Sequence, residues 1–165
     1  MVEDRLKELF LSLPEITDLD GRSHSIKSDF GSEEDCHTFL NDNRSAREGS
    51  YPLVWIQTPF PSKGRLPKLN VKLKLILATI SASNLTNDER VTLSFEPILE
   101  PLLKYVIKGL DVSGFTKMLN TDRDVRVNHF KYSVDDKNQS TDVWDAITYE
   151  CEILMSECPL REFNF

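Results

Sequence analysis

The sequence has no run of about 18 apolar residues, the length a membrane-spanning helix requires, so no spanning helix is predicted. Its six glycines are scattered, and none sits in a phosphate-cradling loop ending in Gly-Lys-Ser/Thr. No Gly-x-Ser-x-Gly elbow presents a nucleophilic serine. Cysteine is equally scarce: Cys36, Cys151 and Cys158 are odd in number and lack metal-ligand or redox spacing. A disulfide framework is therefore not expected, and a reducing compartment with the thiols buried as small hydrophobes is. Positions 1–13 carry charges throughout and lack the apolar stretch of a signal peptide, so the chain is expected to stay where it is made.

Positive charge is in deficit too. The 20 bases stand against 27 acids, for a net charge of −7. Binding a duplex takes clustered cations that release counterions, which makes broad nucleic-acid binding a poor fit. The 165 residues suit one domain, read as positions 1–165. With 39% hydrophobic and 28% charged residues the composition is that of a globular protein. A chain of this size buries roughly 70% of its unfolded surface, so its core needs no metal or disulfide.

What is present is periodicity. Val2, Leu6, Leu9, Phe10 and Leu13 form one helical stripe, with Pro14 as its stop. Positions 15–32 are rich in Asp, Ser and Gly and are predicted to be a loop. A second, peripheral helix is predicted from Ser32, its thin apolar face made of Cys36, Phe39 and Leu40. Positions 51–57 read as a buried strand. The segment 58–68 holds Pro59, Pro61 and Pro67, which block ladder hydrogen bonds, so a loop or projecting arm is predicted there. Leu69, Val71, Leu73, Leu75 and Leu77 alternate with Asn70, Lys72 and Lys74, the pattern of a long strand half exposed at its start. At about 3.3 Å per residue that strand is long for a domain this small, and its first half is expected to project outward.

Thr86 and Glu89 have capping-box spacing. An irregular turn over 88–96 is predicted to feed a helix with Pro97 in its first turn and Gly109 just past its end. A strand near 125–132 with a bulge at Asn128 and His129, a turn over 135–138 and a half-buried strand from Trp144 to Met155 complete the reading. The fold class is α+β, a mixed, mainly antiparallel sheet flanked by helices, in the order α-α-β-β-α-β-β. Positions 1–50 form its helical and loop part, and positions 51–157 its sheet-and-helix core.

Candidate chemistry is sparse. Asp18-Leu19-Asp20-Gly21 resembles a calcium loop, but its glycine comes too early and the closing acid is missing. His24, His37 and His129 are far apart, and Cys36 with His37 falls short of a tetrahedral zinc shell. His129 beside Asp124 has the makings of a base and its orienter, yet a strand histidine is more often structural. Glu150 and Glu152 share a strand face about 7 Å apart, which suits an exposed face better than a sugar cleft. No catalytic, metal or cofactor-binding residue is predicted. Lys63, Arg65, Lys68, Lys72 and Lys74 stand out as five cations with no acid between them. Two readings remain open: edge-protecting lysines on a solvated hairpin, or contact with an acidic neighbour or passing nucleic acid.

The order of segments carries a resemblance. Tyr51-Pro52-Leu53-Val54-Trp55-Ile56 precedes a polar arm, then a Leu-rich strand ending Leu77-Ala78-Thr79. The segment from Asn87-Asp88-Glu89-Arg90 to Phe95-Glu96-Pro97-Ile98-Leu99 follows, and finally Asp145-Ala146-Ile147. Over roughly 51–155 this resembles the tail terminator, or tail-completion, family of head–tail joining proteins in long-tailed phages, as carried by phages and prophages of Bacteroides-type bacteria. The resemblance implies a ring, typically a hexamer, that caps the tail tube and joins it to the neck or head connector. It implies a virion protein assembled in the bacterial cytoplasm, without catalytic residues or cofactor. Its partners would be its own copies, tail-tube and connector proteins, and transiently the passing DNA, with no membrane. A cytosolic binding or regulatory domain, and a head-completion or baseplate protein, are the alternatives.

Overall fold

The computed structural model describes residues 1–42, 51–65, 68–82, 84–119, 126–133 and 143–158. The first stripe forms α1 (Val2–Leu11), with Leu6, Leu9 and Phe10 fully buried. Two charged residues of this helix make tertiary contacts. The Arg5 guanidinium donates to the carbonyls of Ser156, at 2.8 Å, and Cys158, and lies 4.3 Å from the Phe115 ring centre. Lys7 pairs with Asp29 at 3.0 Å.

The predicted loop over 15–32 is instead three short strands. These are β1 (Ile16–Thr17) and β2 (Ser23–His24), paired antiparallel, and β3 (Lys27–Gly31). Of β3's five residues only Ser28 is buried, so the side chains give no alternation to read. The segment is a strand because its main chain pairs in parallel with β4 (Leu53–Gln57), from Lys27↔Leu53 to Gly31↔Gln57. Between them lies α2 (Glu33–Asp42), which starts where predicted. Ser32 N–H and Oγ both donate to Asp35 at 2.7 Å, and Asp35 N–H returns a bond to Ser32 Oγ at 3.1 Å. These bonds hold the Asp35 carboxyl below its ordinary pKa.

The arm is also a strand, in its second half. Pro59 and Pro61 precede β5 (Ser62–Arg65), so neither interrupts its ladder, and β5 folds back on β6 (Lys68–Ser81) as a hairpin. Gly64 permits this with φ +98°; a Cβ there would lie 2.6 Å from the Lys68 carbonyl oxygen.

The chain stays helical from 87 to 112, correcting the irregular turn. Thr86 and Glu89 make the predicted capping box over α3 (Asn87–Arg90), a π-helical segment (Val91–Leu99) follows, and α4 (Glu100–Val112) continues it. Pro97 lies inside the π segment, where an α-helix would drive its ring into the carbonyl four residues back. Gly109 is an interior residue of α4: a Cβ there would come within 3.0 Å of Leu13 Cδ2, so it lets α1 and α4 approach closely. Then come β7 (Thr116–Met118), β8 (Arg126–Ser133) and β9 (Val143–Met155). β7 was not foreseen. β8 pairs without a bulge from Arg126↔Glu150 to Ser133↔Val143. The turn predicted over 135–138 lies outside the described residues.

The architecture is α+β, with one seven-stranded mixed sheet ordered β3-β4-β6-β9-β7, β5 alongside β6 and β8 alongside β9. Among the described strands only β3 and β4 pair in parallel. β6 is the inner strand, not an open edge. β9 matches it from Leu69↔Met155 to Ser81↔Val143, while β4 and β5 take its other side. One sheet face (Val71, Leu73, Leu75, Leu77, Ile147, Tyr149, Ile153) packs under α1, the π segment and α4. The other buries Trp55, Ile76, Ala78, Trp144 and Ala146 with Cys36 of α2. The Trp55 indole N–H reaches the Gly31 and Ser32 carbonyls at 3.2 Å.

At the end of β9, Asp145 is fully buried and accepts a bond from Arg90 Nε at 2.5 Å, pinning α3 to the sheet. Removing one partner of such a pair strands a charge in the interior. Arg90→Met is expected to lower the unfolding free energy by about 3–5 kcal/mol, and the double change Arg90→Met, Asp145→Leu to recover most of it. Gly109→Val, which forces α1 off α4, is expected to cost about 1–3 kcal/mol. Urea denaturation measures all three.

Candidate functional site

The five cations picked out from the sequence divide into two groups. Lys72 and Lys74 stand directly opposite Glu152 and Glu150 across β6 and β9. Opposed side chains on one face have Cβ atoms about 4.5–5.5 Å apart, so each lysine faces a glutamate across the ladder. The same register accounts for the two glutamates that share a face: each has a lysine opposite it.

Lys63, Arg65 and Lys68 are different. All three are exposed on the β5–β6 hairpin, and none makes an ion pair among the described residues. The pair nearest the turn is Arg65↔Lys68, two cations directly opposed. Like charges in that position oppose hairpin formation. The outer side of β5 has no strand partner among the described residues, so its peptide groups face outward beside Lys63 and Arg65.

The remaining sequence candidates resolve individually. Asp18 organises a turn rather than a calcium loop. Its Oδ1 accepts the N–H groups of Asp20 and Arg22, both at 2.9 Å, and its Oδ2 meets His24 Nε2 at 2.8 Å. The His24 bond first, and then the peptide bonds, hold the Asp18 carboxyl below its ordinary pKa. Among the described residues no three His, Cys, Asp or Glu side chains group to hold a metal. The β8 register sets His129 opposite Ile147, while Asp124 lies outside the described residues. Burial pushes the Cys36 and Cys151 thiols up to about 12, so neither is a thiolate at neutral pH. Cys158 is exposed, contrary to expectation. Among the described residues no helix is long and apolar enough to cross a membrane.

One feature escaped the sequence reading. At the far end of β6 from the basic hairpin, a cleft of about 210 Å³ opens between the β1–β2 hairpin, Thr79 and Ile80 of β6, and Ile98 of the π segment. Asp18, Arg22 and His24 line one wall. The signal available in the sequence was an acid six residues before a histidine around a Gly turn, which is too common to single out.

The opposed charges on β6 and β9 are separable from the hairpin by mutation. Lys72→Glu, which opposes two acids, is expected to cost about 0.2–1 kcal/mol, and adding Glu152→Lys to restore it. Replacing Lys63, Arg65 and Lys68 by serine is expected to leave the melting temperature unchanged or slightly raised. Thermal and urea denaturation read both.

No protein-family model matches the chain, and no curated protein matches it.

Proposed function

We propose that this chain is a structural protein of a phage neck, similar to tail terminators, which assembles with its own copies into a ring that caps the tail tube and meets the head connector. The observation that carries the reading is the β5–β6 hairpin, an exposed sheet edge bearing three cations that make no ion pair among the described residues. A fold that tolerates the Arg65↔Lys68 repulsion gains by placing those charges against an acidic partner. Another copy of the chain is the acidic partner this reading takes. With a net charge of −7 that already includes the hairpin, the rest of it is more acidic still.

Hairpin against acidic flank is a head-to-tail contact between unlike surfaces. Such contacts close into rings when the rotation between neighbours permits. The open side of β5 adds main-chain hydrogen bonds to the charge attraction, and its cations deter indiscriminate strand pairing. The segment order over 51–155 and the α+β sheet flanked by helices support the tail-terminator assignment. In the ring, hairpins turned outward would bind tail-tube or connector proteins; turned toward the lumen, they would brush passing DNA, with a steep salt dependence.

Light scattering after size exclusion, with negative-stain imaging, tests the reading. The expected result is a closed ring of discrete mass that dissociates at high salt. The serine triple variant at Lys63, Arg65 and Lys68 should remain monomeric while melting normally. A chain that stays monomeric at every concentration, alone and on isolated tail tubes, would overturn the proposal. So would a triple variant that assembles like the parent.

A further inference from the structure

We propose that the cleft at the Thr79–Ile80 end of β6 is a binding site for a small carboxylate with a compact apolar body, such as an aromatic acid. The inference is independent of the ring, whose contacts lie at the other end of β6.

Size comes first. The cleft holds about 210 Å³, somewhat more than the roughly 150 Å³ cavity that accepts benzene in a protein core. One ring and a carboxylate fit. Its apolar walls are Pro52, Ile80 and Ile98. Ile80, next to the end of β6, lines the cleft and is 39% exposed. A ligand that covers apolar lining removes it from water, which is favourable in proportion to the apolar area covered.

The polar side selects the charge. Arg22 lines the cleft, and its guanidinium makes no ion pair among the described residues. Its planar fork matches a carboxylate in a two-bond geometry. The nearest acid, Asp18, is already occupied: both oxygens are taken by the Asp20 and Arg22 peptide groups and by His24. Through that bond Asp18 fixes the His24 ring by Nε2, leaving Nδ1 without a partner among the described residues as a second polar contact. A cation and an oriented imidazole on one wall, with hydrocarbon on the other, describe an amphipathic anion.

The experiment titrates benzoate into the full chain and follows amide and methyl resonances. Saturable binding is expected, with a dissociation constant on the order of 1 mM. The shifts should centre on Arg22, His24, Ile80 and Ile98. Benzamide, which has the same shape without the charge, should bind about tenfold more weakly, as should benzoate to Arg22→Gln. Arg22 is exposed, so that variant folds; Ile80→Trp, also at an exposed position, should fill the cleft and abolish binding with the melting temperature unchanged. Three outcomes overturn the proposal: no saturable shift, equal affinity for benzamide, or inorganic phosphate binding as tightly as benzoate. None of them bears on ring formation, which is read from mass.

Discussion

Everything in this fold is placed by the pairing of β6 with β9. The two strands run antiparallel in unbroken register from Leu69↔Met155 to Ser81↔Val143. Each then offers its outer side to others: β6 to β4 and β5, β9 to β7 and β8. The odd-numbered residues of both strands floor the larger core, under α1, the π segment and α4. The even-numbered ones make the opposite face, apolar beneath α2 and charged toward the hairpin. A shift of one residue would turn every one of these side chains to the wrong face, so the apolar burial on both sides fixes the register.

The same pairing separates structural charge from available charge. Lys72 and Lys74 stand opposite glutamates in the register; Lys63, Arg65 and Lys68 belong to the edge hairpin, where no acid stands opposite them among the described residues. The sequence shows a single cationic cluster because it does not display which residues stand opposite one another. Sheet register divides that cluster, and only its outer part enters the proposed assembly contact.

Elements whose burial is strong were legible from sequence. α1, β4, β6 and β9 each carry an apolar period that matches their geometry, and the α+β class follows from them. The elements misread are those made by partners rather than by their own side chains. β3 exists because β4 offers it hydrogen bonds, and β7 because the end of β9 does. Val91, Leu93 and Phe95 alternate as in a strand, yet they lie in a π segment in which Val91 and Leu93 are 44% and 47% exposed. There the period misled, because a helix widened around Pro97 no longer follows the ordinary repeat. The candidate site was half legible: composition exposed the cations, whereas the cleft depends on four distant segments meeting.

The central strand pair also sets the order of events as the chain is made. β6 and β9 are separated in sequence by the whole helical stretch from α3 to α4 and by β7 and β8. Pairing strands so far apart demands closure of a long loop before any contact rewards it, which slows folding. During synthesis β4, β5 and β6 can join through short connections, but the other edge of β6 stays open until β9 emerges. That edge is apolar from Leu75 to Ala78, and the hairpin cations stand at the other end of the same strand. Charge at one end of an unfinished strand is a recognised deterrent to the wrong partner. The cations proposed to guide assembly would thus also guard the nascent sheet before there is anything to assemble.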